Sequence, residues 1–383
     1  MCVYKAYKFR LHPNIVQKNL INKTFGCTRF IYNYYLEKMK REGYTYAYDN
    51  IKDYVSNLKY KSVFLQEIDS IVIRKSIFNL DLAYQKMYKE GKGAPIFKSR
   101  FGKNSYNTDA IYSTYKDKKY CNIELDLIKR QVKLPKLKWV KIRGYRNKIN
   151  IQGKIKSATI SRDINDKYYV SLLFEIPDVE ILLKPRSIVG LDLGVKKLIA
   201  LSNGINYDNN KYILKYEKRI KRKQRELSRK EKKSNNYYKC KKELASLYTK
   251  LKNARKYYIH KITKEITDIY DIVVTETLHS KEMIIKGKKN KLSKSISDAS
   301  FNEIIRQLLY KCKYKGKRFY KANEYYASSR ICSVCGNRDD KYKDLSKREY
   351  KCNNCGVKID RDLNASINIM NEGISMYMKE LKA

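Results

Sequence analysis

Four cysteines near the C-terminus carry the sharpest chemical signal in the chain. Cys332-Ser333-Val334-Cys335-Gly336 and Cys352-Asn353-Asn354-Cys355-Gly356 are two Cys-x-x-Cys pairs separated by 16 residues. In each, the glycine after the second cysteine lets backbone amides turn toward sulfur, and four thiolates at this spacing suit tetrahedral Zn²⁺. With every position filled by protein, such a zinc is structural. Cys2, Cys27, Cys121, Cys240 and Cys312 are scattered singly and read as small buried hydrophobes.

A second set of residues is acidic. Asp192 interrupts the apolar run Ile188–Leu193, Glu276 follows the β-branched run Ile272–Thr275, and Asp360 or Asp362 follows Val357-Lys358-Ile359. A carboxylate on a buried strand is expensive unless it is paired or bound to metal. Three converging at one sheet edge would repel one another, and two hard cations, Mg²⁺ or Mn²⁺, relieve that repulsion. Two such ions about 4 Å apart can activate water for in-line phosphodiester displacement. The three histidines, His12, His260 and His279, sit beside no nucleophile, which argues against a Ser-His-Asp hydrolase.

Periodicity indicates the elements that must position these groups. Residues 1–12 alternate as a strand ending at His12-Pro13. From Asn14 to about Tyr88 the spacing is helical, predicting two helices divided by Gly26 and later ones at Tyr46–Leu58 and Ile68–Tyr88. Gly91-Lys92-Gly93-Ala94-Pro95 stops that block. Between Tyr112 and Pro177 the period changes to two, and several short strands so close together predict a small barrel or sandwich. After Pro185, two strands precede a long helical stretch from Lys211 to about Lys261, broken near Lys233–Asn236. Strands alternating with helices place the acids in a βαβ-type unit.

Composition narrows the partner. The 383 residues include 85 Lys+Arg against 39 Asp+Glu, a net charge of +46. Self-repulsion at that excess disfavours compactness, so nucleic acid, a polyanion, is the simplest partner. Lys211–Lys261 alone holds 20 Lys/Arg against four Glu, a stripe suited to phosphate contact. Interleaved tyrosines (Tyr237-Tyr238, Tyr257-Tyr258, Tyr325-Tyr326) suit packing first and base stacking second. A hydrophobic content of 43% excludes a disordered basic tail. Neither a signal peptide nor an apolar run of the roughly 18 residues that a spanning helix needs is visible. The expectation is a cytoplasmic protein acting at the nucleoid, with no membrane and no small-molecule substrate.

These residues also resemble a known family. Gly190-Leu191-Asp192-Leu193-Gly194, Thr275-Glu276-Thr277-Leu278 and Asp360-Arg361-Asp362-Leu363-Asn364-Ala365 are similar, in order, to the three RuvC motifs of TnpB. That family comprises RNA-guided DNA endonucleases of bacterial insertion sequences (OrfB, transposase-associated), related to compact type V CRISPR nucleases. Tyr7–Asn14, Pro95–Arg100 and Leu134–Val140 resemble its opening and central portions, so the likeness is collinear along nearly the whole chain. Thr277 and Lys138 depart from the family's usual residues.

The resemblance implies that Asp192, Glu276 and Asp362 are catalytic and hold two Mg²⁺ or Mn²⁺ ions. Asp362 is preferred to Asp360 because the family's acid stands two residues before asparagine. It implies a multidomain α+β protein with a β-barrel wedge domain at 1–12 and 112–184 and a helical recognition domain at 13–111. An RNase H-like RuvC nuclease domain (α/β) then occupies 185–330 and 357–383, with a zinc ribbon inserted at 331–356. The implied partners are a guide RNA from the transposon end and a double-stranded target DNA, cut beside a short motif for which Tyr46 and Arg74 are candidate readers. Rival readings are a nuclease-silent RNA-guided DNA-binding protein, a strand-transferring transposase or its DNA-binding accessory, and a zinc-ribbon transcription factor. The last leaves acids on apolar strands unexplained.

Overall fold

Asn14 starts the first helix with a capping box: its side chain accepts the Gln17 amide at 2.8 Å, and the Gln17 side chain accepts the Asn14 amide at 3.0 Å. The computed structural model describes residues 3–43, 51–115, 118–144, 151–286, 293–324, 326–344 and 346–382. Tyr46 and Tyr325 lie outside the described residues. The chain divides into two units, Met1–Asp178 and Val179–Ala383. Among the described residues no helix is long and apolar enough to cross a membrane.

The first unit opens with β1 (Val3–His12) and α1 (Ile15–Glu42). That helix runs unbroken through Gly26, where the sequence predicts a division. Ile21, Phe25, Ile31, Tyr35 and Leu36 keep one buried face across the glycine, and their burial outweighs the roughly 1 kcal/mol that glycine costs in mid-helix. Next come α2 (Ile51–Lys61), α3 (Val63–Gln66) and α4 (Ser70–Glu90). Asp69 caps α4 by accepting the Ile71 amide, and Gly91, left-handed at φ 59°, ends it. Ile31, Leu36, Leu65, Ile73, Ile77 and Leu80 bind these helices together.

The strands follow as β2 (Asn104–Asp109), the hairpin β3 (Tyr112–Tyr115) and β4 (Lys118–Cys121), β5 (Glu124–Asp126) and β6 (Gln131–Leu134). They continue as β7 (Lys138–Arg143), β8 (Lys154–Arg162) and β9 (Tyr168–Ile176). Seven of them form one sheet in the order β2-β8-β9-β1-β7-β6-β5. This sheet is open, which corrects the expected β-barrel. β1 pairs with β9 from Val3 to Leu11 but reaches β7 only at Arg10–His12, and edge strand β5 is three residues long. So short an edge offers little backbone for closure against β2.

The second unit is built on a mixed five-stranded sheet. Its strands are β10 (Ile188–Leu193), β11 (Lys197–Leu201), β12 (Asn206–Asp208), β13 (Ile272–Thr275) and β14 (Arg318–Lys321). Their order is β12-β11-β10-β13-β14, with β10, β13 and β14 parallel and β11 antiparallel to both of its neighbours, β10 and β12, as in an RNase H-like domain. Between β12 and β13 run the basic helices α5 (Tyr212–Ser228) and α6 (Asn235–Ile269), with Ser234 capping the second. The shorter α7 (Ser280–Lys286) and α8 (Ser293–Ala299) precede α9 (Phe301–Tyr314). A small hairpin, β15 (Glu349–Lys351) with β16 (Lys358–Asp360), leads into the terminal α10 (Arg361–Lys382).

Alternation along the strands sorts the sheet's two faces. Val189, Leu191, Leu193 and Val273 pack with Ile259, Ile262, Ile266, Ile305 and Leu308 of α6 and α9. Ile272 and Val274 pack instead with Ile369 of α10, beside Ile188. Gly190 lets α10 lie directly on that second face, since a Cβ there would stand 2.1 Å from the Ser366 carbonyl oxygen and 2.5 Å from the Met370 amide nitrogen. Gly373 does the same over Val274, whose Cγ2 would be 2.2 Å from an added Cβ.

Candidate active site and metal centre

The register of β10 against β13 brings two acids together. Leu191 pairs with Thr275 in a parallel ladder, so Asp192 and Glu276 stand one step further, side by side at the strand ends. Both follow the parity of Gly190 and Val274, which is the face covered by α10. Neither is fully exposed. The Leu193 amide donates to Glu276 Oε1 at 3.3 Å. Burial pushes Asp192 well above the usual carboxylate range, the negative charge of Asp362 adds to this, and Arg361 opposes it. Burial and then the charge of Asp192 push Glu276 up as well.

Asp362 sits in the first turn of α10, half-buried, with Arg348 at 3.7 Å from its Oδ1. Its near neighbour Asp360 is otherwise engaged. Asp360 Oδ1 accepts the amides of Asp362 at 2.9 Å and Leu363 at 3.1 Å, and its Oδ2 pairs with Lys197 at 3.0 Å. Burial works against the Asp360 carboxylate, but Lys197 and those amides outweigh it and hold the group below its ordinary range. The helix therefore uses one aspartate as its cap and leaves the other uncommitted to capping, close enough for its charge to act on Asp192.

The four cysteines form a closed set: one ligand atom from each of Cys332, Cys335, Cys352 and Cys355 lies within 4.8 Å of the other three. Among the described residues the three acids are not gathered to that spacing. Gly336 and Gly356 take φ of 76° and 71°, and their amides turn back to the Cys332 and Cys352 carbonyls at 2.9 and 3.1 Å. The Asn337 amide and the Asn354 side chain pull the Cys335 thiol down to about 6. The Val357 amide favours the Cys355 thiolate, but burial and the neighbouring sulfurs push that thiol up to about 12. Four sulfurs gathered this closely are suited to a shared cation, and the set fits a structural zinc. Tyr342 and Tyr350 stack at 4.2 Å beneath Cys332 and Cys352 and supply the ribbon's core.

Two residues with an unforeseen role join this ribbon to α10. Asn364, fully buried, accepts the Ser333 amide at 2.9 Å and donates to the Ile331 carbonyl at 2.7 Å. Asn368, one turn on, donates to the carbonyls of Ser328 and Ile331, each at 2.7 Å. Their i, i+4 spacing on a helix that is otherwise apolar at those positions was the available signal. Arg74 lies half-buried on α4 in the first unit.

Comparison with known proteins bears on the family and the fold. Residues 171–286 match the OrfB_IS605 family, described as "Probable transposase", and residues 301–369 match the Cas12f1-like TNB domain. Residues 1–45 match a family helix-turn-helix domain, although the described part of that stretch, 3–43, holds a strand followed by one long helix. A Streptomyces pristinaespiralis protein named "Putative RNA-guided DNA endonuclease" is 28% identical over 379 residues, covering 97% of this chain and 90% of its own length. InsQ of Escherichia coli K12, which carries the same description, is 29% identical, covering 96% of this chain and 92% of its own. Among solved structures, the protein of a Cas12f1-sgRNA-target DNA complex shares the fold with a TM-score of 0.57 at 15% identity, covering 97% of this chain and 99% of that one. The resemblance to the TnpB family is thereby borne out along nearly the whole chain.

Proposed function

We propose that the chain is an RNA-guided DNA endonuclease that cuts target DNA beside a short adjacent motif by metal-dependent phosphodiester hydrolysis. The observation that carries this reading is the parallel register of β10 on β13, which sets Asp192 beside Glu276 at the strand ends, where the charge of Asp362 also acts on Asp192. The activity for which the relatives are named supports it, because this chain covers most of their length. Guide RNA from the transposon end pairs with one strand of the duplex, so sequence choice lies with base pairing. The basic helices α5 and α6 are suited to hold phosphates, and Arg74 is a contact for the adjacent motif. The site of action is the nucleoid.

Asp192, Glu276 and Asp362 offer only oxygen donors, and two of them are strained toward protonation by burial and mutual repulsion. Such a donor set fits Mg²⁺ or Mn²⁺, two ions held by the three carboxylates. When bound, the ions supply an activated water and positive charge at the leaving oxygen. The chain's own part is positional. The Leu193 amide orients Glu276, α10 delivers Asp362 to the strand ends, and Asp360 is occupied by its cap and by Lys197.

The test is to purify the protein from cells carrying its native flanking DNA, sequence the co-purified RNA and offer the matching duplex with Mg²⁺. Wild type should cut, whereas Asp192→Ala should bind RNA and duplex almost unchanged without cutting. Binding without cutting by the wild type would leave the nuclease-silent reading in its place, and cutting by the variant would remove Asp192 from the site.

A further inference from the structure

Three arginines converge in the first unit without a counter-ion among the described residues. Arg29, Arg100 and Arg162 line a cavity of about 200 Å³, completed by Asn22, Asn104 and Phe25. They arrive from three elements. Arg29 projects from α1 two turns beyond Asn22, and Arg162 stands at the end of β8 directly opposite Asn104 in the ladder. Arg100 comes from an irregular segment that is pinned to α1: Asn33 donates to the Lys98 carbonyl at 3.0 Å and accepts the Lys98 amide at 2.8 Å. A turn at Ser99 then fixes the chain, its Oγ accepting the Phe101 amide at 3.1 Å and its carbonyl the Gly102 amide at 3.2 Å.

The guanidinium of Arg162 is oriented too, donating to Asn22 Oδ1 at 3.0 Å with its carbon 6.0 Å from the centre of the Phe25 ring. No carboxylate lines the cavity, and no described carboxylate forms an ion pair with any of the three. Nearby lysines of the same unit do find acids, as in Lys23–Glu67 at 2.7 Å and Lys75–Asp109 at 2.8 Å. Unpaired guanidinium groups held close together repel one another. A tetrahedral oxyanion relieves that repulsion and matches the planar fork of arginine, while Asn22 and Asn104 can add amide donors.

We propose that this cavity is a phosphate-binding pocket that takes a backbone phosphate of bound nucleic acid. The proposal rests on the nuclease reading only for the source of that phosphate. Arg100 is exposed, and its substitution leaves the Asn33 pin in place, so Arg100→Gln is the first variant and Arg29→Gln/Arg100→Gln the second.

With the full chain, binding is titrated over a range of salt using labelled single-stranded RNA and labelled duplex DNA, and thermal unfolding is followed with inorganic phosphate. The expected result is a several-fold weaker affinity and a shallower slope of log K against log salt. For each phosphate that the variant no longer neutralises, the slope should fall by about 0.7 with RNA or about 0.9 with duplex. Arg100→Lys should recover part of the slope. A change with RNA alone or duplex alone identifies the source, and loss of protection by inorganic phosphate alone assigns the pocket to free phosphate. Unchanged slopes, affinities and phosphate protection in both variants would overturn the pocket. Asp192→Ala should keep the wild-type slope, so the pocket and the nuclease reading can fail separately.

Discussion

The side-chain amide of Asn364 bridges the first cysteine knuckle and the helix that carries Asp362, accepting the Ser333 amide at 2.9 Å and donating to the Ile331 carbonyl at 2.7 Å. Ser333 stands next to Cys332, and Asn364 stands two residues after Asp362. Folding of the ribbon and placement of the acid are therefore one mechanical problem. Asn364→Ala strands two backbone groups in a fully buried position, which should lower the unfolding free energy by roughly 2–4 kcal/mol. Denaturant titration reads this directly, and a loss within error of zero would show that the bridge is dispensable.

Removal of zinc should act through the same bridge. Cys332→Ser with Cys335→Ser should abolish zinc retention, and amide exchange should then quicken at 328–336 and in the first turns of α10. Wild-type protein is expected to bind one zinc per chain, measured by metal analysis. Exchange confined to the ribbon, with α10 unaffected, would separate the two.

Glycines should divide sharply by what surrounds them. Gly190→Ala drives a methyl group against the Ser366 carbonyl and the Met370 amide, backbone atoms that cannot swing aside. The α10 helix must lift, at a cost of about 1–3 kcal/mol or more, and cutting should fall with it because Asp362 moves. Gly26→Ala meets no atom within 4 Å and lies in mid-helix, so it should stabilise by about 0.5–1 kcal/mol. Thermal unfolding of the two variants beside wild type tests both signs at once.

The two aspartates at the head of α10 should behave oppositely. Asp362→Asn should abolish cutting with little change in stability. Asp360→Asn keeps a residue able to cap the helix and loses the partly exposed Lys197 pair, so stability should change by no more than about 1 kcal/mol and cutting should persist. Product yield per unit time for the folded variants decides. Loss of cutting in Asp360→Asn alone would exchange their roles.

What could be read without coordinates was whatever stood out against its own neighbours. Asp192 and Glu276 were visible because carboxylates rarely end apolar strands, and the cysteines because their spacing is a coordination pattern. The break between α5 and α6 was legible from the polar run at Ser234-Asn235-Asn236. The engagement of Asp360 could not be read from residues alone, since its partner Lys197 is 163 positions away. The open edge of the seven-stranded sheet was hidden for a similar reason, because closure depends on which strands meet. Asn364 reads as an ordinary polar helix position until Ile331 is placed beside it. Arg29, Arg100 and Arg162 share nothing in sequence.

Acid should weaken the second unit through His260 on α6. Burial first, then the charges of Lys311, Lys256 and Arg306, hold its imidazole down at about 4, while Glu303 acts in the opposite direction. In the unfolded chain histidine titrates near 6.5, so between about 6.5 and 4 the unfolded state carries a proton that the native state lacks. The contribution is fully present above about pH 6.5 and is lost as pH falls toward 4. His260→Gln has no such proton. The difference in unfolding free energy between wild type and this variant should stay constant above about pH 6.5 and shift against wild type below it, while carboxylates common to both proteins cancel. A difference that stays level down to about pH 4 would show that the native imidazole protonates as readily as a solvated one.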